Sequence, residues 1–190
     1  VFVLVGLLPL ASLAMLFFSS MLAYVGIRTG FFGRANLPRL GTVELPWTLL
    51  ISTALVMLGS FTIHRAIMAV RREWQTAFRG WLVATLVMAV AFVIVQAPAL
   101  GSLMLQHAEQ MRAAGAEGQP MALYGAIFFL IVLHALHVVG GIVSLAWVTY
   151  RAGQHRYDHE HYMPVAHVAL YWHFLDIVWL FMYGILFILG

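Results

Sequence analysis

Residues 2–26 run without a single charged side chain. A helix over them, rising about 1.5 Å per residue, outreaches the ~30 Å hydrocarbon core of a bilayer. Four further stretches follow: about 46–70, interrupted only by His64 and Arg65 near its end; about 79–106, with Pro98 toward its far end; about 121–150; and about 164–189. Pro9 predicts a kink in the first. Composition points the same way. Hydrophobic residue types make up 63% of the 190 residues and charged ones 9%, against about a quarter charged in a soluble domain. The expected fold is an all-α integral membrane protein, a single bundle of five transmembrane helices over residues 1–190. The chain begins on Val1 inside an apolar run, so further residues are expected ahead of it. That run exceeds the apolar core of a cleaved signal peptide.

The charges gather in the four connections. Residues 27–45 hold Arg28, Arg34, Arg39 and Glu44, and residues 71–79 hold Arg71, Arg72 and Arg79. Residues 107–120 carry Glu109, Arg112 and Glu117; residues 151–163 carry Arg151, His155, Arg156, Asp158, His159, Glu160 and His161. All ten basic residues are arginine. With Arg65, the second and fourth connections bear six arginines and the first and third bear four. The positive-inside rule then predicts the N-terminus inside and the C-terminus outside. Arg71, Arg72 and Arg79 are expected to meet lipid phosphates or a partner subunit on the inner face. A net charge of only +3, spread over loops and helix ends, is no nucleic-acid footprint. With no cysteine, a disulfide framework, a thiolate metal site and cysteine-attached haem are excluded.

Ionisable residues inside the spans reduce to His64, His134, His137, His167, His173 and Asp176, with Arg65 near an end. An aspartate at mid-bilayer costs about 2.5–3.5 kcal/mol on insertion scales, so Asp176 must face protein and have a partner. His173 lies three residues earlier on the same helical face. His134 and His137 are likewise three apart on the fourth helix. A short loop makes the last two helices antiparallel neighbours, which predicts a buried cluster of His134, His137, His173 and Asp176, with Gly140 and Gly141 permitting close approach. Three readings of it stay open: hydrogen bonds that fix helix packing, a proton-handling or lipid-headgroup role, and a metal or haem site. The last is the weakest, because each histidine pair alone supplies two ligands. His155, His159 and His161, interleaved with Asp158 and Glu160, read as a solvated interfacial loop. Tyr171, Trp172, Trp179 and Tyr183 are candidate interfacial anchors; Tyr171 and Trp172 fall so far inside the span that packing or lipid contact suits them better.

The string Tyr171-Trp172-His173-Phe174-Leu175-Asp176-Ile177-Val178-Trp179-Leu180 resembles the last helix of subunit III of the haem–copper oxidases. The preceding helix agrees, with Tyr124-Gly125, the pair Phe128-Phe129, then His134-Ala135-Leu136-His137 and Gly140. The resemblance is dense over about 121–189 and thin before it. Gln96 looks like the family's glutamine, whereas Ala99 stands where the family usually has a glutamate. Residues 2–26 also lack the buried glutamate that the family carries in its corresponding helix.

The resemblance implies a non-catalytic subunit of a terminal oxidase in aerobic respiration. Such a subunit binds no haem, copper or other metal itself. It packs directly on the catalytic subunit I, in a complex with subunit II, where haem and copper reside, and holds phospholipid. It supports proton uptake and resistance to turnover inactivation, in a bacterial or archaeal plasma membrane or an organellar inner membrane. The electron donor, cytochrome c or quinol, stays open. Alternatives are the accessory subunit of a nitric oxide reductase, a small His/Asp proton or solute transporter, and a membrane cytochrome.

Overall fold

The structure, a computed structural model, describes residues 2–28, 47–113 and 120–189, with side chains over 10–23, 25–26, 50–98, 101–102, 105, 129–185 and 187. Arg34, Arg39, Glu44 and Glu117 lie outside the described residues. The described elements are five helices: α1 Phe2–Arg28, α2 Trp47–Arg71, α3 Gln75–Ala113, α4 Pro120–Gly153 and α5 Met163–Leu189. Four stretches are long and apolar enough to cross a membrane by length and composition: Leu50–Arg71, Gln75–Pro98, Phe129–Gly153 and Met163–Ile185. Within α1 the described apolar stretch is Leu10–Ala23.

The helix bounds differ from the hydropathy pattern mainly in α3, which continues for 39 residues. Apolar length reports the bilayer-buried part only, and the helix carries on past it through Gln75–Phe78 at one end and 107–113 at the other. Pro98 does not end α3; backbone groups freed by a proline in such a helix find partners in neighbouring helices or hydroxyls. Pro120 opens α4, where its missing N–H is no loss.

By their contacts the residues fall into two compact units, with α3, α4 and α5 each contributing to both. In the unit made of residues 1–46, 97–135 and 178–190, the core holds Phe17, Met21, Leu130, Val178, Trp179 and Met182. In the unit made of 47–96 and 136–177, Ile63, Val70, Phe78, Leu82, Leu145, Val165 and Leu175 are fully buried or nearly so. Large apolar side chains also face outward, such as Phe61, Ile94 and Leu136, the last two about two-thirds exposed at 66% and 64%. Only a hydrocarbon solvent suits that surface, so the chain is a multi-pass membrane protein.

Helices α2 and α4 end alike. At α2 the Trp74 N–H donates to Ala69 C=O at 3.0 Å and the Glu73 N–H to Val70 C=O at 3.1 Å, with Glu73 at φ 60°. At α4 the Arg156 N–H donates to Arg151 C=O at 3.3 Å and the His155 N–H to Ala152 C=O at 3.2 Å, with His155 at φ 56°. Both are Schellman ends, whose left-handed residue is ordinarily glycine. Placing side-chain-bearing residues there costs on the order of 1 kcal/mol each, and both side chains are used. Glu73 Oε1 pairs with His159 Nδ1 at 2.6 Å, and Arg79 Nη2 donates to His155 Nδ1 at 2.6 Å. Gln75 Nε2 adds a bond to Tyr157 C=O at 3.1 Å. The α2–α3 turn and the α4–α5 connection are thereby clasped together.

Within that connection Asp158 Oδ1 accepts the N–H of Glu160 at 3.0 Å and of His161 at 2.7 Å. These bonds, the His161 backbone first, hold the Asp158 carboxyl below its ordinary value of 3.8. Its contribution is therefore present at neutral pH and lost as pH falls through that lowered value. Limited proteolysis of 154–162 should be slow near neutrality and accelerate under stronger acid, with Asp158→Ala fast throughout. Burial pushes the nearby Tyr157 phenol up.

Candidate functional site

Asp176 lies on α5 at 7% exposure, one of few buried polar side chains in the described residues. His173, one turn earlier, faces α2, where the Ser60 hydroxyl is 2.5 Å from its Nδ1. The same hydroxyl hydrogen-bonds the Asp176 carboxyl. Ser60 thus bridges His173 and Asp176, leaving Asp176 Oδ2 without a hydrogen-bond partner. Beside this group Thr85 of α3 bonds Thr62 of α2 at 2.9 Å. Short hydroxyls on α2 supply the polar contacts of this interior.

The other two histidines of the expected cluster have different surroundings. His137 is half-buried and its backbone carbonyl accepts the Tyr171 hydroxyl at 3.0 Å. His134 is buried in the other compact unit. Its ring stacks on Trp179 at 5.7 Å and meets Phe17 edge-on at 6.1 Å. Trp172 and Trp179 are both buried, so they pack and do not anchor at an interface. Tyr183 stacks on Phe187 at 6.3 Å. Gln96 is half-buried, its Oε1 without a hydrogen-bond partner.

The glycine pair divides its work. A Cβ on Gly141 would stand 3.2 Å from Tyr171 Cε1, 3.3 Å from Leu175 Cδ1 and 3.4 Å from Trp172 Cζ2. On Gly140 the nearest atom would be Tyr171 Oη at 3.9 Å, ordinary contact. Gly141 is what lets α4 lie against α5 at Tyr171, Trp172 and Leu175.

The arginines with described side chains gather at the clasped end. Arg65, Arg71, Arg72 and Arg151 lie over the rings of Trp81, Tyr162, Trp74 and Trp147 at 5.6, 5.1, 5.4 and 5.1 Å. Arg79 is half-buried and turned to His155. The site residue that hydropathy and ionisable-group inventories overlook is Ser60. A serine in an apolar helix usually bonds its own backbone, so its only sequence signal is a position one turn before His64 on α2. Among the described residues no three His, Asp or Glu side chains stand where they could share a metal ion.

These features define a polytopic α-helical membrane protein with one ionisable group buried at the α2–α5 contact. The chain belongs to the cytochrome c oxidase subunit III family, whose profile it matches over residues 1–190. It is similar to the "Probable cytochrome c oxidase subunit 3" of Mycobacterium tuberculosis, 29% identical over 136 residues, 71% of this chain and 63% of the relative. It is also similar to the "Probable quinol oxidase subunit 3" of Staphylococcus epidermidis, 26% identical over 142 residues, 75% of this chain and 67% of that one. A third relative, the "Cytochrome bo(3) ubiquinol oxidase subunit 3" of Pseudomonas putida, is 24% identical over 140 residues, 74% of this chain and 64% of that one. The matched region thus spans just under two-thirds of the mycobacterial relative.

Proposed function

We propose that this chain is a non-catalytic accessory subunit of a haem–copper terminal oxidase. It would pack on the catalytic subunit, where haem and copper reside, and support assembly and proton uptake. The observation that carries the reading is the family match over the whole chain. Relatives named for cytochrome c and for quinol stand at comparable identity, 29% and 26%, so the reading stops at oxidase and leaves the donor open. Residues 2–26 contain no acid, so any support of proton uptake runs without a carboxylate in α1.

The arginine-rich end, with the α2–α3 and α4–α5 connections, faces the cytoplasm or its organellar equivalent in this reading, which places the N-terminus inside and the C-terminus outside. The Ser60–His173–Asp176 group is read as the polar tie between α2 and α5 that shapes the surface presented to the catalytic subunit. Bound phospholipid belongs to the same reading. The test is purification of the chain from native membranes in mild detergent. A haem-containing catalytic subunit should co-purify in a fixed ratio. A chain that emerges alone and stable, or with a Soret band of its own, overturns the proposal.

A further inference from the structure

The left-handed residues that close α2 and α4, Glu73 at φ 60° and His155 at φ 56°, hold a conformation that side-chain-bearing residues seldom keep without support. Each is supported from the other side of the clasp. Glu73 Oε1 meets His159 Nδ1 at 2.6 Å. Arg79 Nη2 lies 2.6 Å from His155 Nδ1 and 2.8 Å from its Nε2. A third tie, from Gln75 Nε2 to the Tyr157 backbone carbonyl at 3.1 Å, involves no titratable group. All of these residues belong to one compact unit.

The two histidine contacts need opposite protonation states. A guanidinium has donors only, so Arg79 bonds His155 only while the imidazole is neutral and keeps an acceptor nitrogen. Once protonated, the ring has two donors and no acceptor, and it faces a like charge. Neither cation has another partner at hand. Among the described residues Arg79 makes no other hydrogen bond or ion pair, its Nε being buried and unbonded. No described carboxylate lies within ion-pair reach of His155, and Arg151 and Arg156 are its charged neighbours along the chain. His159 is the reverse case. It stands between Glu73 of the α2–α3 turn and Glu160 of its own connection, the latter at 3.7 Å, so a proton there adds attraction. His161 pairs with Asp158 at 3.1 Å inside the connection and does not cross the clasp. From α2, Arg71 lies over the Tyr162 ring. The Tyr157 phenol, pushed up by burial, stays neutral, and Asp158, held below its ordinary value, stays ionised.

We propose that the clasp is a two-stage pH latch: fastened at Arg79–His155 and Glu73–His159 near neutrality, and in mild acid released at His155 while Glu73 and His159 hold. Histidine changes charge between about pH 8 and 5, whereas glutamate carboxylates ordinarily stay ionised down to about pH 4.3. A contact that requires neutral imidazole is lost as pH falls through that range; one that gains from imidazolium is strengthened. Losing Arg79 removes the support of the left-handed His155. That frees the end of α4, where the His155 N–H bonds the Ala152 carbonyl at 3.2 Å and the Arg156 N–H bonds the Arg151 carbonyl at 3.3 Å. The connection beyond stays tethered through Glu73. In the orientation proposed above the latch responds to acid on the inner side of the membrane. The latch itself rests on the clasp and not on the oxidase reading, so it stands whether or not an oxidase co-purifies.

The test is hydrogen–deuterium exchange on the full chain in nanodiscs, in whatever complex it purifies with, at about pH 7.5 and about pH 5.5, with rates corrected for the intrinsic pH dependence of exchange. Between the two, protection of the amides of 152–157 should fall by about twofold to fivefold, the factor that exposed charge contacts command, while that of 158–162 holds or rises. His155→Gln keeps an acceptor for Arg79 and gains no proton, so its 152–157 protection should not respond to pH. Arg79→Gln should flatten the response too, from a lower starting protection. Glu73→Gln removes the tether that remains in acid, and should lower protection over 158–162 more at the acid pH than at the neutral one. If His155→Gln does not accumulate, Arg79→Gln carries the same comparison. An undiminished pH response in either variant overturns the inference. So does an equal loss of protection across the whole of 152–162 in the unsubstituted chain.

Discussion

Replacing Gly141 with leucine should abolish the folded protein, whereas the same replacement one residue earlier, at Gly140, should leave it folded. At Gly141 a Cβ alone meets three atoms between 3.2 and 3.4 Å away, on Tyr171, Leu175 and Trp172. Leu175 and Trp172 are themselves buried, and Tyr171 is tied to the His137 carbonyl. None has room to step back. Overpacking of this kind costs about 1–3 kcal/mol for small insertions and more for a whole isobutyl group. Alanine at 141 is the finer probe, because its better helix propensity returns up to about 1 kcal/mol; a net loss below about 2 kcal/mol is expected. Gly140 faces outward with 3.9 Å to its nearest neighbour. Thermal unfolding in detergent, with membrane-inserted yield, reads all three variants. Equal behaviour of the two leucine variants would mean that α4 does not approach α5 through Gly141.

Asp176→Lys should be nearly as damaging, while Asp176→Asn should fold. The carboxyl is buried, with one hydroxyl from Ser60 and one oxygen unpartnered. A lysine ammonium there has no carboxylate to answer it, and an uncompensated buried charge costs about 3–5 kcal/mol. Asparagine keeps the shape and can still accept from Ser60. Ser60→Ala should fall between, at roughly 0.6 kcal/mol by the average for hydrogen bonds in membranes and up to about 3 kcal/mol if His173 is left unsatisfied. The readouts are thermal unfolding and retention of the catalytic subunit in purified material. A well-folded Asp176→Lys protein would show that the position opens to water or headgroups. Retention lost in Asp176→Asn without any change in unfolding would point past packing to a role at the subunit surface.

Much of this architecture is legible in the order of residues, because a bilayer leaves the backbone few choices. The apolar lengths place five helices, and α2 and α5 begin and end within about a residue or two of where hydropathy puts them. Hydropathy underestimates α3 because it measures the hydrocarbon-facing part of a helix and says nothing of its polar extensions. The paired motifs on α4 and α5 are where the resemblance to the family is legible in the sequence, and the family profile matches over residues 1–190.

The interior polar chemistry was legible in inventory but not in pairing. Sequence names Asp176 as the single acid that must be answered inside the membrane, and puts His173 on its face. Helical spacing constrains neighbours along one helix; it does not say which adjacent helix turns a hydroxyl toward them. Tertiary packing chose Ser60 of α2 for His173 and Asp176, stacked His134 on Trp179, and gave Gly141 and not Gly140 the close contact with α5. The charged end divides the same way. That arginines crowd two connections is written in the chain, but that histidines take the carboxylates while aromatic rings hold the guanidiniums is decided by the clasp between those connections. The five helices were set by the solvent the sequence demands, and the partners inside and around them by distances of 2.5 to 6 Å that only the packed helices could establish.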